Sequence, residues 1–216
     1  TVSLARRCVE QPAVSPRGTP FFPARVFPVH HPEADRDIFR YLIDRLHAIG
    51  RPVLSWYPLN LGGGVLAEHP DWAVEFYHMP GTRGDPAWEH AYACFNSPYG
   101  ELLPQFAAEV VGDPQAGGLG FDGLWFDGST WANHNASPAF SQPVCRCAWC
   151  RARFRADAGL ELPEIIDLTE RRTKVWIKWR YDVLMDVWRR CVEAVAAANP
   201  AAVVCFNNYR RRPFAA

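Results

Sequence analysis

The sequence lacks an excess of charge of either sign, since 23 Lys and Arg balance 23 Asp and Glu in 216 residues. Without a global basic field, neither nucleic acid nor an anionic membrane is expected as a partner. Long hydrophobic runs are missing too, and no stretch reaches the roughly 18 uninterrupted apolar residues of a membrane-spanning helix. The 15 Gly and 19 Pro stay below the combined content of about 25–30% that marks low-complexity chains. These absences leave a globular chain.

The start of the sequence, Thr1 to Arg7, contains neither an initiator Met nor the apolar core of a secretory signal. The seven cysteines are an odd number in a chain too long to need a disulfide scaffold, which favours a reducing compartment or a metal site. We therefore expect a cytoplasmic protein, although the missing start leaves open a signal peptide further upstream. A homo-oligomer is left open as well.

Strand and helix patterns alternate along the chain. Apolar runs predict buried strands at residues 24–29, 52–57, 121–126 and 202–206. Helical periodicity predicts helices between them, at residues 38–49, 98–110 and 167–199, with a shorter helix near 151–158. Such alternation is typical of an α/β fold in which a parallel sheet is covered by outer helices.

Polar or aromatic residues follow every predicted strand. In parallel α/β folds the functional side chains gather at the carboxyl ends of the strands. The residues at these ends are His30, His31, Trp56, Tyr57, Asn60, Asp127, Asn207 and Asn208. Each group of polar residues alone is typical of an ordinary loop. Because such residues follow all four predicted strands, a shared binding site is favoured.

Asp127 is the strongest candidate for a catalytic carboxylate. Side chains alternate along a strand, so Asp127 shares a face with Trp125, which would lie beneath it. The alternative is that Asp127 and Gly128 only form a turn or a helix cap.

Asp122 is excluded as the catalytic partner of Asp127. Five residues of strand separate the two by roughly 16 Å, beyond the roughly 5–9.5 Å between paired catalytic carboxylates. A second carboxylate must therefore come from sequence outside this chain or from the long loop after the second strand, where the candidates are Glu68, Asp71, Glu75, Asp85 and Glu89.

Three cysteines, Cys145, Cys147 and Cys150, lie within six residues of one another. Thiolates at this spacing can surround one soft tetrahedral metal ion, and a structural site needs a fourth ligand. Cys94 is the first candidate and His134 the second. The alternatives are reduced thiols without metal or one local disulfide. A closed four-ligand site has no open position, so its role would be to fasten the cysteine-rich excursion at about residues 129–160.

Four motifs occur in order along the chain: His69-Pro70-Asp71-Trp72, Cys94-Phe95-Asn96-Ser97-Pro98-Tyr99, Phe121-Asp122-Gly123-Leu124-Trp125-Phe126-Asp127-Gly128, and the cysteine cluster followed by Arg151 to Phe154. Together they resemble the glycosyl hydrolase-like family 6 domain, over about residues 30–209. The Trp-Phe-Asp-Gly strand resembles that of α-L-fucosidases. The cysteine arrangement resembles the zinc site of family 42 β-galactosidases.

This resemblance implies a (β/α)₈ TIM barrel, of which the single domain at residues 1–216 carries about four βα units. It implies a carbohydrate-active enzyme, a retaining glycoside hydrolase of fucosidase-like or galactosidase-like type, with Asp127 as nucleophile and an oligosaccharide or glycoside as substrate. It also implies structural Zn²⁺ on Cys94, Cys145, Cys147 and Cys150. The sugar would be held by His30, His31, Trp56, Tyr57, Asn60, Trp125, Asn207 and Asn208.

Two other functions remain as alternatives at this point. One is a barrel that binds carbohydrate without hydrolysing it, or an inactive fragment of a glycosidase. The other is a zinc-ribbon module that binds nucleic acid, against which the zero net charge and the single cysteine cluster argue.

Overall fold

The structure is a computed structural model that describes residues 8–12, 14, 18–27, 30–32, 34–77, 91–127 and 145–206. Four strands form one parallel sheet in the order β1-β2-β3-β4. They are β1 (Val9–Pro12), β2 (Val53–Pro58), β3 (Gly123–Asp127) and β4 (Val203–Phe206). The predicted α/β fold with a parallel sheet is therefore confirmed.

Five α-helices lie in the described part of the chain. They are α1 (Arg36–His47), α2 (Val65–Glu68), α3 (Tyr99–Val111), α4 (Ala148–Ala158) and α5 (Arg171–Ala198). Short 3₁₀ helices occupy Pro70–Trp72 and Pro114–Ala116. Among these described helices, none is long and apolar enough to cross a membrane.

The first strand lies earlier than the sequence predicts. The described residues 24–27 of the expected strand at 24–29 are not in a strand, so that prediction is wrong there. The first strand is instead β1, Val9–Pro12, which pairs in parallel with β2. Phe27 is buried, and its ring lies 4.9 Å from Phe106 and 5.9 Å from Tyr99 of α3, centroid to centroid.

The two faces of the sheet differ in what they contact. Tyr57 and Phe206 lie on the face that packs against helices, with ring centroids 4.8 Å from Phe106 of α3 and 4.5 Å from Trp188 of α5, respectively. On the opposite face, Trp56 of β2 is in register with Trp125 of β3, and both side chains are half-buried. We call this opposite face, carrying Trp56, Trp125 and Asp127, the tryptophan face.

A buried carboxylate fixes the segment before α1 against α3. The Glu109 side chain is 1% exposed and forms an ion pair with Arg36, the first residue of α1. The backbone N–H of Arg25 donates to both Glu109 oxygens, at 3.0 and 3.1 Å. Arg36 also donates to the carbonyl oxygen of Gly117, at 2.7 Å. Glu109 therefore joins two helices and the segment between β1 and α1.

Glu109→Ala is expected to lower the free energy of unfolding by about 3–5 kcal/mol, because it leaves the Arg36 guanidinium and the Arg25 amide without their partner. Glu101→Ala is the matched control in the same helix. Glu101 is 69% exposed and pairs with Arg190, so its loss is expected to cost about 0–1 kcal/mol. Urea denaturation of both variants measures the difference, and equal losses would contradict a special role for Glu109.

Candidate active site and metal centre

Asp127 is the last residue of β3, and its side chain is half-buried at the carboxyl end of the sheet. The indole N–H of Trp56 donates to Asp127 Oδ2 at 3.1 Å. The register explains this contact, because Trp56 pairs with Trp125 and Asp127 lies two residues further along the same face. Asp127 is in register with Pro58, and the N–H of Leu59, the next residue, donates to the Asp127 carbonyl at 2.9 Å, as in an ordinary parallel ladder.

This arrangement places an ionisable carboxyl group beside two indole rings. The N–H of Trp56 donates to the Asp127 carboxyl group and fixes its orientation. The half-buried rings of Trp56 and Trp125 offer apolar surface on which a ring-shaped ligand can stack. The tryptophan face can therefore combine ligand binding with nucleophilic or proton-transfer chemistry.

Tyr57 does not lie on this face, contrary to its expected place in the sugar site. Its side chain is 1% exposed and points toward the helices. The hydroxyl groups of Tyr57 and Tyr99 are 3.1 Å apart, and Tyr99 donates to the carbonyls of Leu59 and Leu61 at 3.2 and 3.0 Å. Burial raises the pKa of both tyrosines, so both remain neutral hydrogen-bonding groups of the core.

The described residues that precede the two histidines, 21–27, form no strand, which corrects the reason for expecting the histidines at the site. His30 is exposed, and the ring of half-buried His31 packs edge-on against Phe21 with 5.4 Å between centroids. Asn60 is 2% exposed in the turn after β2, where its carbonyl accepts from Ala93 at 3.0 Å. The predicted residues Asn207 and Asn208 lie outside the described residues.

Asp122 immediately precedes β3, at the opposite end of the strand from Asp127. Its Oδ2 accepts from the Val53 backbone N–H and lies near His47 Nε2, each at 2.7 Å. This position agrees with its exclusion as a catalytic partner of Asp127.

The carboxylates of the long loop after β2, the other candidates for the second catalytic group, lie at several different places. Glu75 forms ion pairs with Arg146 and Arg151 at 3.0 and 2.8 Å, beside the cysteine cluster. Glu68 and Asp71 are exposed, in or near α2. Asp85 and Glu89 lie outside the described residues.

Cys94, Cys145, Cys147 and Cys150 converge in the interior. All four are buried, and their Sγ atoms lie within 4.8 Å of one another. Cys94 Sγ is 3.4 Å from Cys150 Sγ and 3.5 Å from Cys147 Sγ, well beyond a disulfide bond of about 2.05 Å. Tetrahedral zinc with Zn–S bonds of about 2.3 Å requires sulfur atoms roughly 3.8 Å apart. The cluster can therefore hold a metal ion, and Cys94 completes it; His134 lies outside the described residues.

Backbone N–H groups point at the sulfur atoms. Glu75 donates to Cys145 Sγ at 3.3 Å, Cys147 to the same sulfur at 3.5 Å, and Asn96 to Cys94 Sγ at 3.4 Å. Such donors stabilise the negative charge that thiolates keep when they bind a metal. The surroundings of the cluster thus suit ionised ligands.

The thiols are electrostatically coupled. Burial raises the pKa of the Cys94 and Cys150 thiols well above their usual range. Hydrogen bonds with Cys145, Cys150 and Cys94 lower the pKa of Cys147. A bound cation favours ionisation of the whole set, because metal binding replaces the protons on the ligands.

A buried cationic side chain interacts electrostatically with the cluster. The guanidinium of Arg180 lies over the Trp176 ring, with its Cζ 4.7 Å from the ring centroid. Burial lowers the pKa of Arg180 to about 10, and the charges of Cys150 and Cys145 oppose this shift. Arg180 remains charged at neutral pH, so it would compensate for part of the negative charge if four thiolates held a divalent ion.

No protein-family model and no curated protein matches the chain. Solved structures do share its fold. The α-L-fucosidase isoenzyme 2 from Paenibacillus thiaminolyticus is 21% identical over 95% of this chain, with a TM-score of 0.66. The glycoside hydrolase domain of PgaB (BpsB) from Bordetella bronchiseptica is 19% identical over 94% of the chain, with a TM-score of 0.60.

A β-galactosidase from Rahnella sp. R3 is also similar, at 14% identity over 95% of this chain and a TM-score of 0.53. The chain spans 28%, 55% and 32% of the fucosidase, PgaB and β-galactosidase chains, respectively. At these identities the likeness shows a shared fold, and it covers nearly the whole of this chain.

Two residues beside the cysteine cluster have no role in the sequence-based prediction. Asn96 donates its side-chain amide to Cys150 Sγ at 3.2 Å, and Arg153 donates to the Asn96 amide oxygen at 3.0 Å. The local signal is that Asn96 follows Cys94 by two residues, within the Cys94–Tyr99 motif. The direction in which its amide points depends on α4, which lies more than fifty residues later.

Proposed function

We propose that this chain is part of a (β/α)₈-barrel glycoside hydrolase of retaining type in which Asp127 is the nucleophile. One observation carries the proposal: the Asp127 carboxylate lies at the carboxyl end of a parallel strand, on one face with two tryptophans and bound by the indole N–H of Trp56. The shared fold with glycosidase structures over nearly the whole chain supports it.

The barrel is supported by the order of the strands. Four parallel strands are neighbours in the same order as in the sequence, with helices in each connection. A βα repeat of this kind continues around a (β/α)₈ barrel, which typically takes about 250 residues, and its active site lies at the carboxyl ends of the strands. The place of Asp127 in β3 fits that location.

In the proposed reaction, Asp127 Oδ attacks the anomeric carbon of the sugar while the bond from that carbon to the leaving oxygen breaks. A second carboxyl group gives its proton to the leaving oxygen, and then removes a proton from the water that releases the sugar from Asp127. Retention requires this group about 5–5.5 Å from Asp127. Glu75 is already engaged by Arg146 and Arg151, which disfavours it for this role.

Trp56 and Trp125 are proposed to bind the sugar through their ring faces. The indole N–H of Trp56 already donates to Asp127, so this residue serves the substrate by stacking. A fucoside or a galactoside has an apolar ring face that suits such contacts.

The cysteine cluster is proposed to hold structural Zn²⁺. Four thiolates close the tetrahedral coordination shell and leave no position for water or substrate. The ion would join the segment before α3 to the start of α4, because Cys94 lies before α3 and Cys150 within the first turn of α4. No step of the hydrolysis passes through it.

A panel of nitrophenyl glycosides tests the proposal, assayed with the full-length protein that contains this chain. We expect turnover of an α-L-fucoside or a β-D-galactoside, and proton NMR of the first product is expected to show retained anomeric configuration. Inversion would refute the retaining mechanism. Saturable sugar binding without hydrolysis of any substrate would favour a carbohydrate-binding barrel instead.

A further inference from the structure

Asn96 contacts two different sulfur atoms of the cysteine cluster. Its backbone N–H donates to Cys94 Sγ at 3.4 Å, and its side-chain Nδ2 donates to Cys150 Sγ at 3.2 Å. These two cysteines are 56 residues apart in the sequence. One residue therefore holds two metal ligands that come from different segments of the chain.

Arg153 determines which end of the Asn96 amide faces the cluster. Arg153 Nη1 donates to Asn96 Oδ1 at 3.0 Å. A guanidinium has donors only, so the amide oxygen must face it. The amide nitrogen then faces Cys150 Sγ, to which it can donate a hydrogen bond if that sulfur is a thiolate.

Arg153 is itself held by the long helix α5. Its Nε donates to Asp157 Oδ2 at 3.3 Å, and the same oxygen accepts from Trp179 Nε1 of α5 at 2.8 Å. Trp179 is buried. A continuous set of hydrogen bonds thus runs from Cys150 through Asn96, Arg153 and Asp157 to the core.

We propose that Asn96 is a positioning residue of the metal centre. Its two N–H donors hold the Cys94 and Cys150 thiolates in the geometry that the ion requires, and Arg153 keeps the amide in the donating orientation. The proposal rests on the metal site put forward under Proposed function. Residues of this kind, hydrogen-bonded to the ligands, typically change metal affinity by about 10–100-fold when they are replaced.

Two substitutions separate a donor from a space-filling residue. Asn96→Ala removes the side-chain donor and keeps the backbone N–H. Asn96→Asp keeps the size of the side chain and its contact with Arg153, but places a charged oxygen against Cys150 Sγ. If Asn96 only filled space, the Asn96→Asp variant would bind the metal more tightly than Asn96→Ala, because it preserves packing and gains an ion pair with Arg153. If Asn96 is a donor, Asn96→Asp is the variant with the lower metal affinity.

Zn²⁺ competition with a chromogenic chelator measures the affinities in the full-length protein. We expect a loss of about 10-fold for Asn96→Ala and about 100-fold for Asn96→Asp. Gln105→Glu is the matched control, because it makes the same amide-to-carboxylate change at an exposed position of α3, and its affinity should equal that of the unchanged protein. An Asn96→Asp affinity equal to or above that of Asn96→Ala would overturn the donor role.

A second measurement needs no substitution, and so it stands even where a variant fails to fold. With ¹¹³Cd²⁺ in the site, we expect scalar couplings between the metal nucleus and the backbone and side-chain amide protons of Asn96, transmitted through the N–H···S hydrogen bonds. Bound cadmium without these couplings would overturn the proposal. Failure of the unchanged protein to take up either metal would refute the metal site itself, and the positioning role with it.

Discussion

Asp127→Asn is expected to lower kcat for glycoside hydrolysis by a factor on the order of 10⁴–10⁶, the range found when a serine protease loses one residue of its catalytic triad. The amide oxygen of asparagine is a poor nucleophile but still accepts the N–H of Trp56, so the fold should be retained. The experiment compares kcat on the best substrate of the glycoside panel, and thermal melts check that both proteins are equally folded.

Asp122→Asn is the control for this substitution. Asp122 lies just before the same strand, at its opposite end, where it accepts from Val53 and contacts His47. Its replacement is expected to leave kcat unchanged. A kcat in Asp127→Asn equal to that of the unchanged protein would remove Asp127 from the mechanism.

Removal of the metal is expected to destabilise the folded chain by about as much as Glu109→Ala. A metal ion held by the four sulfur atoms would join segments that lie 56 residues apart in the sequence. A ligand present at 1,000 times its Kd stabilises the folded state by about 4 kcal/mol. For a chain of this size that corresponds to a fall in Tm of roughly 8–16 °C. We expect one zinc per chain by elemental analysis and a fall in Tm of this size after a strong chelator is added.

Two cysteine variants make the metal experiment specific. Cys150→Ser removes one ligand and should lower the zinc content well below one per chain. Cys205→Ser changes a cysteine of β4 outside the cluster and should keep one zinc per chain. A zinc-free protein whose melting temperature does not respond to the chelator would refute the metal assignment.

Three of the four strands could be predicted from the sequence to within two residues, because β2, β3 and β4 are apolar runs bounded by turn residues. The first strand, β1, could not be predicted from the sequence. Val9–Pro12 is an edge strand with one large apolar residue and a terminal proline, and edge strands tolerate such composition. The segment at residues 24–29 is more apolar, so the sequence predicts a strand there, but its Phe27 packs against α3.

The candidate site could be predicted where its residues lie close together in the sequence. Asp127 and Trp125 share a face because side chains alternate, and the three clustered cysteines needed only Cys94 to complete them. Alternation also separates Trp56 from Tyr57, but the sequence alone does not tell which of the two faces the helices. The roles of Asn96 and Arg153 depend on contacts between α4 and the segment before α3, which no local pattern encodes.

A covalent bond between Asp127 and the sugar is the step that defines the proposed retaining mechanism. A 2-deoxy-2-fluoro glycosyl fluoride of the sugar identified in the panel slows the release of the intermediate, so that the glycosylated enzyme accumulates and can be digested for peptide mass spectrometry. We expect one fluorinated sugar per chain, attached to Asp127. Attachment to another carboxylate, or continued hydrolysis with no covalent adduct, would contradict it.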